Sequence, residues 1–185
     1  GSREDINKSI GKLKPNQIIA GQLRWGTPTV LAQAGKKFNI PVINHAEDLF
    51  LMNNGIVNEG ECSLKLGLIG NPDISESTMV YRDLSIAEHV SGKLHIPHVS
   101  TKESVELIRH YKDKGLKVTA EASPHHIGLF ESEAPDYQSE FKITPPLYTQ
   151  NKSSIYDKEY IPGFEVSKMK LLSVMLLKFM FSIPL

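Results

Sequence analysis

The chain has 185 residues, 40% hydrophobic and 23% charged, with 21 basic residues balancing 21 acidic ones. That length suits one domain with a substantial core, and the zero net charge provides no overall field favouring nucleic acid or an anionic membrane. The single cysteine, Cys62, excludes an internal disulfide framework and fits a reducing compartment, so cytoplasm is the expected location.

The chain opens Gly-Ser-Arg-Glu-Asp, where Gly1-Ser2 reads as an expression scar, and no charged-then-apolar signal pattern follows. Ile18–Ala20 is the first strand expected. Thr29–Phe38 reads as a helix with Pro28 placed for its first turn. Pro41–Asn44 is a compact apolar strand running into His45-Ala46-Glu47-Asp48. From Met52 to Asp73 the glycines and asparagines predict mostly loop. A helix follows, with Ser75 as its hydroxyl cap, Glu76 as an acid in the first turn, and Val80, Leu84, Ala87 and Val90 on one face with Ile86 beside them. Gly92 is its expected stop. Lys93–Val99 is a strand, Lys102–Lys114 a helix ended by Gly115, and Leu116–Ala122 another strand that leads to His125-His126. Near the end, Leu171–Phe181 is apolar apart from Lys178; it is too short to span a membrane, which needs about 20 residues, and reads as a buried or partner-facing helix, with an interfacial segment as the alternative.

Alternating strands and helices indicate an α/β protein with parallel strands. No GxGxxG or GxxxxGK[ST] loop supports nucleotide binding. Three strand ends carry histidine: His45, His98 and the pair His125/His126. Polar groups at the carboxyl ends of parallel strands converge on one face, and neutral imidazoles there suit zinc, which lowers the pKa of water and polarises carbonyls. Side chains alternate along a strand, so His95 and His98 do not share a face; His98 is nearer the strand end and is the better ligand, while His95 packs or hydrogen-bonds. Glu47 and Asp48 would orient His45 or hydrogen-bond a loop. Against this stands the ordinary role of an imidazole, which more commonly satisfies backbone groups than binds metal. His89 and His110 fall on helices and read as surface or core-edge residues. Arg82-Asp83 reads as a structural ion pair, Glu121 as a buried network residue, and Cys62 has no nucleophile context.

The order of the motifs carries more information than any one of them. Pro41-Val-Ile-Asn-His-Ala-Glu-Asp48 is followed by Gly60-Glu-Cys-Ser63, Leu66-Gly-Leu-Ile-Gly-Asn-Pro72, Val80-Tyr-Arg-Asp83 and His95-Ile-Pro-His-Val-Ser-Thr101. Then come Val118-Thr-Ala-Glu-Ala-Ser-Pro-His-His126 and Lys142-Ile-Thr-Pro-Pro-Leu147. This series resembles the dihydroorotases of the amidohydrolase superfamily from about Phe38 to Leu147, and more weakly to residue 165. The resemblance implies an incomplete (β/α)8 TIM barrel over 1–165 and a zinc-dependent cyclic amidase of pyrimidine biosynthesis that interconverts dihydroorotate and N-carbamoyl-aspartate; it ceases after Glu165, and 166–185 reads from its own residues as an apolar helical segment. It further implies that His45 and His98 are metal ligands, that His125-His126 are not, and that Thr144 stands where the family has a substrate-contacting asparagine.

Other family features are missing. No His-x-His occurs, Gln22-Leu-Arg-Trp-Gly26 offers no acid or lysine where a metal-binding one is expected, and the late motif with the catalytic aspartate is absent. Pro162-Gly-Phe-Glu165 resembles a later family segment, as if the stretch before it were deleted. A catalytic zinc normally has three protein ligands and a water, so the isolated chain is expected to be a weak or inactive enzyme with no catalytic residue of its own. The alternative is a non-catalytic dihydroorotase-like subunit working through a second copy or a partner chain, as in families where such subunits scaffold aspartate transcarbamoylase. A hydantoinase- or allantoinase-like cyclic amidase is a third reading, which Arg82-Asp83 and His95–Thr101 disfavour.

Overall fold

The computed structural model describes residues 3–20, 27–131 and 142–147. In chain order the elements are α1 (Arg3–Leu13), β1 (Ile18–Ala20), α2 (Thr27–Phe38), β2 (Val42–Asn44), α3 (Leu49–Met52), β3 (Val57–Asn58), α4 (Glu61–Leu66) and β4 (Gly70–Asn71). They continue with α5 (Ile74–Val90), β5 (Lys93–Ile96), α6 (Lys102–Asp113), β6 (Lys117–Ala120) and α7 (Pro124–Gly128). The main sheet has four parallel strands in the order β1-β2-β5-β6. The observed fold is thus the parallel α/β arrangement that the strand–helix alternation indicates.

Register explains which side of the sheet is core. Val42, Leu94 and Val118 lie side by side in adjacent strands, and Asn44 and Ile96 lie two residues further on; all five are buried. Against them α5 presents Val80, Leu84 and Ala87 at helical spacing, and α6 adds Ile108 and Tyr111. The intervening residues, Ile19, Ile43, His95 and Thr119, form a row on the other face. A second, smaller cluster joins α1 to α2 through Ile10, Ala34 and Ile40.

Several local expectations change. Residues 52–73 contain α4 and a two-stranded parallel ribbon, β3–β4, rather than loop alone. Gly55 permits this: a Cβ there would lie 2.5 Å from the Asn71 nitrogen, so only glycine lets the ribbon close. Ser75 does not cap α5; the cap position is Asp73, and the Ser75 hydroxyl instead donates to Asn71 Oδ1 at 2.5 Å. The left-handed residue closing α5 is Ser91 (φ 52°), one before the expected Gly92. Gly115 does end α6, at φ 89°. The segments 21–26 and 166–185, with Leu171–Phe181, lie outside the described residues. Among the described residues no helix is long and apolar enough to cross a membrane.

Candidate functional site

His45 follows β2 directly and His98 stands two residues beyond β5, so adjacent parallel strands deliver both imidazoles to the same end of the sheet. His45 Nδ1 and His98 Nε2 are 2.9 Å apart, with the rings edge to face. The other nitrogen of His45, Nε2, lies 3.2 Å from Glu47 Oε2. Glu47 is only 3% exposed, and its Oε1 accepts a 3.0 Å hydrogen bond from Asn71 Nδ2. A carboxylate accepts, so the His45 proton belongs on Nε2 and the Nδ1 lone pair points at His98. Burial, reinforced by the neighbouring His45, holds the pKa of His98 below its ordinary value and favours the neutral ring.

His98 has φ 40°, an unusual conformation for a residue with a side chain. The loop after it is fixed from α5. Glu76 accepts hydrogen bonds from the Ser100 amide (3.0 Å), the Thr101 amide (3.0 Å) and both of their hydroxyls. Thr101 also caps α6 by accepting from the Ser104 amide. From sequence, Glu76 looks like a first-turn acid satisfying the helix dipole; the structure gives it a buried partner 24 residues away. The signal available was the Ser100-Thr101 pair just before a helix, which supplies four donors to any nearby carboxylate.

The remaining candidates separate into different places. His95 hydrogen-bonds Thr119 Oγ1 at 2.8 Å across β5–β6, and its Nε2 is 3.7 Å from Glu121 Oε2. Glu121 is 65% exposed at its side chain, so the expectation of a buried network residue is corrected: two residues after Thr119, it falls on the row of His95 and Thr119, the face opposite the helices. His126 is buried, donating through Nε2 to the Pro145 carbonyl (2.8 Å) and accepting at Nδ1 from the Ser123 hydroxyl (2.8 Å). Those bonds make it a tie between α7 and the 142–147 segment. Thr144 is exposed in that segment, beside buried Pro145 and Leu147. Arg82 contacts Asp83 within α5 (2.7 Å), and Asp83 in turn accepts from Asn44 of β2, fixing helix to sheet. Asp48 accepts from the Phe50 and Leu51 amides and caps α3. Burial raises the Cys62 thiol pKa, which suits an inert side chain.

The histidine pair can be tested against a metal. Two nitrogens on a tetrahedral zinc sit roughly 3.3 Å apart, given Zn–N bonds of about 2.0–2.1 Å. The observed 2.9 Å therefore needs only a slight parting of the rings. The pair fits two ligand positions and no more: among the described residues no three His, Cys, Asp or Glu side chains are grouped to hold an ion.

Comparison with solved structures places this backbone in the hydantoinase fold. A D-hydantoinase from a Bacillus species superposes with TM-score 0.67 and 19% identity over 83% of this chain and 36% of its own. The L-hydantoinase of Arthrobacter aurescens gives 0.68 and 17% over 83% and 37%. The sequence is more specific. Residues 29–104 match the dihydro-orotase-like family, and the chain is similar to curated dihydroorotases. The enzyme of Ruminiclostridium cellulolyticum is 45% identical over 64% of this chain and 28% of its own length. That of Pelobacter propionicus is 37% identical over 80% and 36%. The resemblance to dihydroorotases read from the motif series is therefore established, and the chain spans about a third or less of those relatives.

Proposed function

We propose that this chain is part of a dihydroorotase-type amidohydrolase barrel that retains half of a zinc site and has little or no turnover alone. The single observation that carries the reading is the convergence of His45 and His98 at adjacent strand ends within the dihydro-orotase-like segment, with Glu47 fixing the tautomer. In this reading the four parallel strands are half of an eight-stranded barrel. The substrate is dihydroorotate or N-carbamoyl-aspartate, the setting is cytoplasmic pyrimidine synthesis, and Thr144 stands near substrate.

His45 Nδ1 and His98 Nε2 would hold the ion, and Glu47 and Glu76 would keep the two imidazoles in place. Zinc, when bound, supplies Lewis acidity toward a ring amide. Because no third donor is grouped with the pair among the described residues, no catalytic step is assigned to this chain. The same observation favours a second reading, a non-catalytic dihydroorotase-like subunit.

Dihydroorotate turnover with added zinc, compared with a His45→Ala/His98→Ala variant, tests the proposal. Equal, background-level rates are expected. Turnover that the double substitution abolishes would overturn the claim of inactivity.

A further inference from the structure

Behind His45 a line of hydrogen bonds runs away from the two rings. His45 Nε2 meets Glu47 Oε2 at 3.2 Å, Glu47 Oε1 accepts from Asn71 Nδ2 at 3.0 Å, and Asn71 Oδ1 accepts from the Ser75 hydroxyl at 2.5 Å. Glu47, Asn71 and Ser75 are all buried. The direction of the line is decided at its middle. A serine hydroxyl donates or accepts, the His45–His98 contact runs either way according to which ring carries the proton, and an amide can be turned end for end. A carboxylate only accepts, so Glu47 requires an N–H on each side. Asn71 must therefore present Nδ2 to it, leaving Oδ1 for Ser75, and His45 must carry its proton on Nε2. Turning the amide over would set Oδ1 against Glu47 Oε1, two acceptors with no proton between them. The backbone holds Asn71 to this place. In β4 its carbonyl accepts from the Glu59 amide at 3.0 Å and from Asn58 Nδ2 at 3.4 Å, and Ser75 is tied through its own carbonyl to the Asp48 amide at 2.8 Å.

We propose that Asn71 is a positioning residue that readies His45 for a metal ion, and that the β3–β4 ribbon serves to deliver it. The inference rests on the reading of His45 and His98 as two ligand positions. At 3.2 Å the bond from His45 to Glu47 is at the long limit for N–H···O, so a carboxylate free to turn would lose it readily. The ring could then carry its proton on Nδ1, the nitrogen whose lone pair the ion needs. Asn71 prevents that rotation by holding Oε1. It does so as a neutral donor, which orients the carboxylate without cancelling the negative charge that favours a cation beside His45. Asn71 lies 24 residues from Glu47 in the chain, and only the closing of the ribbon brings the two together.

The test compares wild type with Asn71→Leu, Asn71→Asp and Ser75→Ala by two measurements. Nitrogen-15 spectra of the histidine rings are recorded on the metal-free chain at about pH 8, where an imidazole is ordinarily neutral, with His45 assigned from its loss in His45→Ala. Cobalt(II) titrations then give the affinity. Wild type is expected to show His45 protonated on Nε2 alone. Both Asn71 variants should show a mixture of tautomers and bind cobalt roughly 10-fold more weakly, with the ligand-field band unchanged in shape because both imidazoles remain. Aspartate has the size and shape of asparagine, so a role in packing alone predicts wild-type behaviour for Asn71→Asp. Ser75→Ala removes one hydroxyl, should shift the tautomers in the same direction by less, and serves as the test if the Asn71 variants do not fold. Ring signals or cobalt affinity matching wild type in the folded variants overturn the inference and leave the two-histidine site standing. A wild-type chain that takes up no cobalt sinks the metal reading instead, and the ring signals then show whether Asn71 holds the tautomer without it.

Discussion

Glu76→Ala is expected to lower the unfolding free energy by about 3–5 kcal/mol, among the largest single-residue effects in the chain. Glu76 is 4% exposed and accepts from two backbone amides and two hydroxyls of the loop that follows β5. Alanine removes the acceptor and leaves those amides buried, where each unsatisfied donor costs about 1–3 kcal/mol. The hydroxyls can rotate to other acceptors, so the amides account for most of the loss. Urea unfolding followed by circular dichroism measures it. The same substitution frees the loop that holds His98, so affinity for a metal should fall although Glu76 is not a ligand. A loss below about 1 kcal/mol, the level of an ordinary surface change, would mean that the clamp contributes little.

Acid should destabilise the fold between pH 6.5 and about 4, chiefly through His126. Burial depresses its pKa from 6.5 to about 4, nearby His98 and His125 add to the depression, and the bond to the Pro145 carbonyl opposes it. Above pH 6.5 the ring is neutral in both folded and unfolded chains. As pH falls through the window only the unfolded chain takes up the proton, so stability is lost, and below about 4 both forms are charged and the loss is complete. At 1.36 kcal/mol per pKa unit the contribution is roughly 3 kcal/mol. His98 and His125, also depressed by burial, act in the same direction. Asp83 acts oppositely: burial raises its folded pKa above 3.8, so protonation favours the fold at lower pH. The difference between wild type and His126→Gln isolates the histidine. Unfolding free energies measured from pH 7.5 to 4 should fall more steeply for wild type, whereas parallel curves would show that His126 is not the titrating group.

Much of the frame was legible because it depends on local pattern. The β1 strand falls where its apolar run places it, at Ile18–Ala20, and α6 ends one residue from the expected Lys114. His45 and His98 were legible as candidates because they sit at strand ends, and register then brings β2 beside β5. What the sequence hid depends on distant contacts. Glu76 in a helix's first turn has a sufficient local explanation, and nothing nearby in sequence announces the loop 24 residues on. Ser75 looks like a cap until Asn71 is seen beside it. Residues 52–73 read as loop because glycine is frequent there, yet Gly55 is the residue that allows two backbone segments to close into a ribbon. The helix α1 carries Ile6, Ile10 and Leu13 at helical spacing, a stripe weakened by the polar residues around it, and it is held by packing on α2.

The central claim is that His45 and His98 form two positions of one metal site, and a cobalt(II) titration read by visible absorption tests it most directly. The chain should bind the ion with a ligand-field band; His45→Ala and His98→Ala should each abolish that band, and Glu47→Gln should weaken binding roughly 10–100-fold by releasing the tautomer. Identical titrations for the wild type and all three variants would contradict the account, because the ion would then bind elsewhere and the 2.9 Å approach of the two rings would be packing alone.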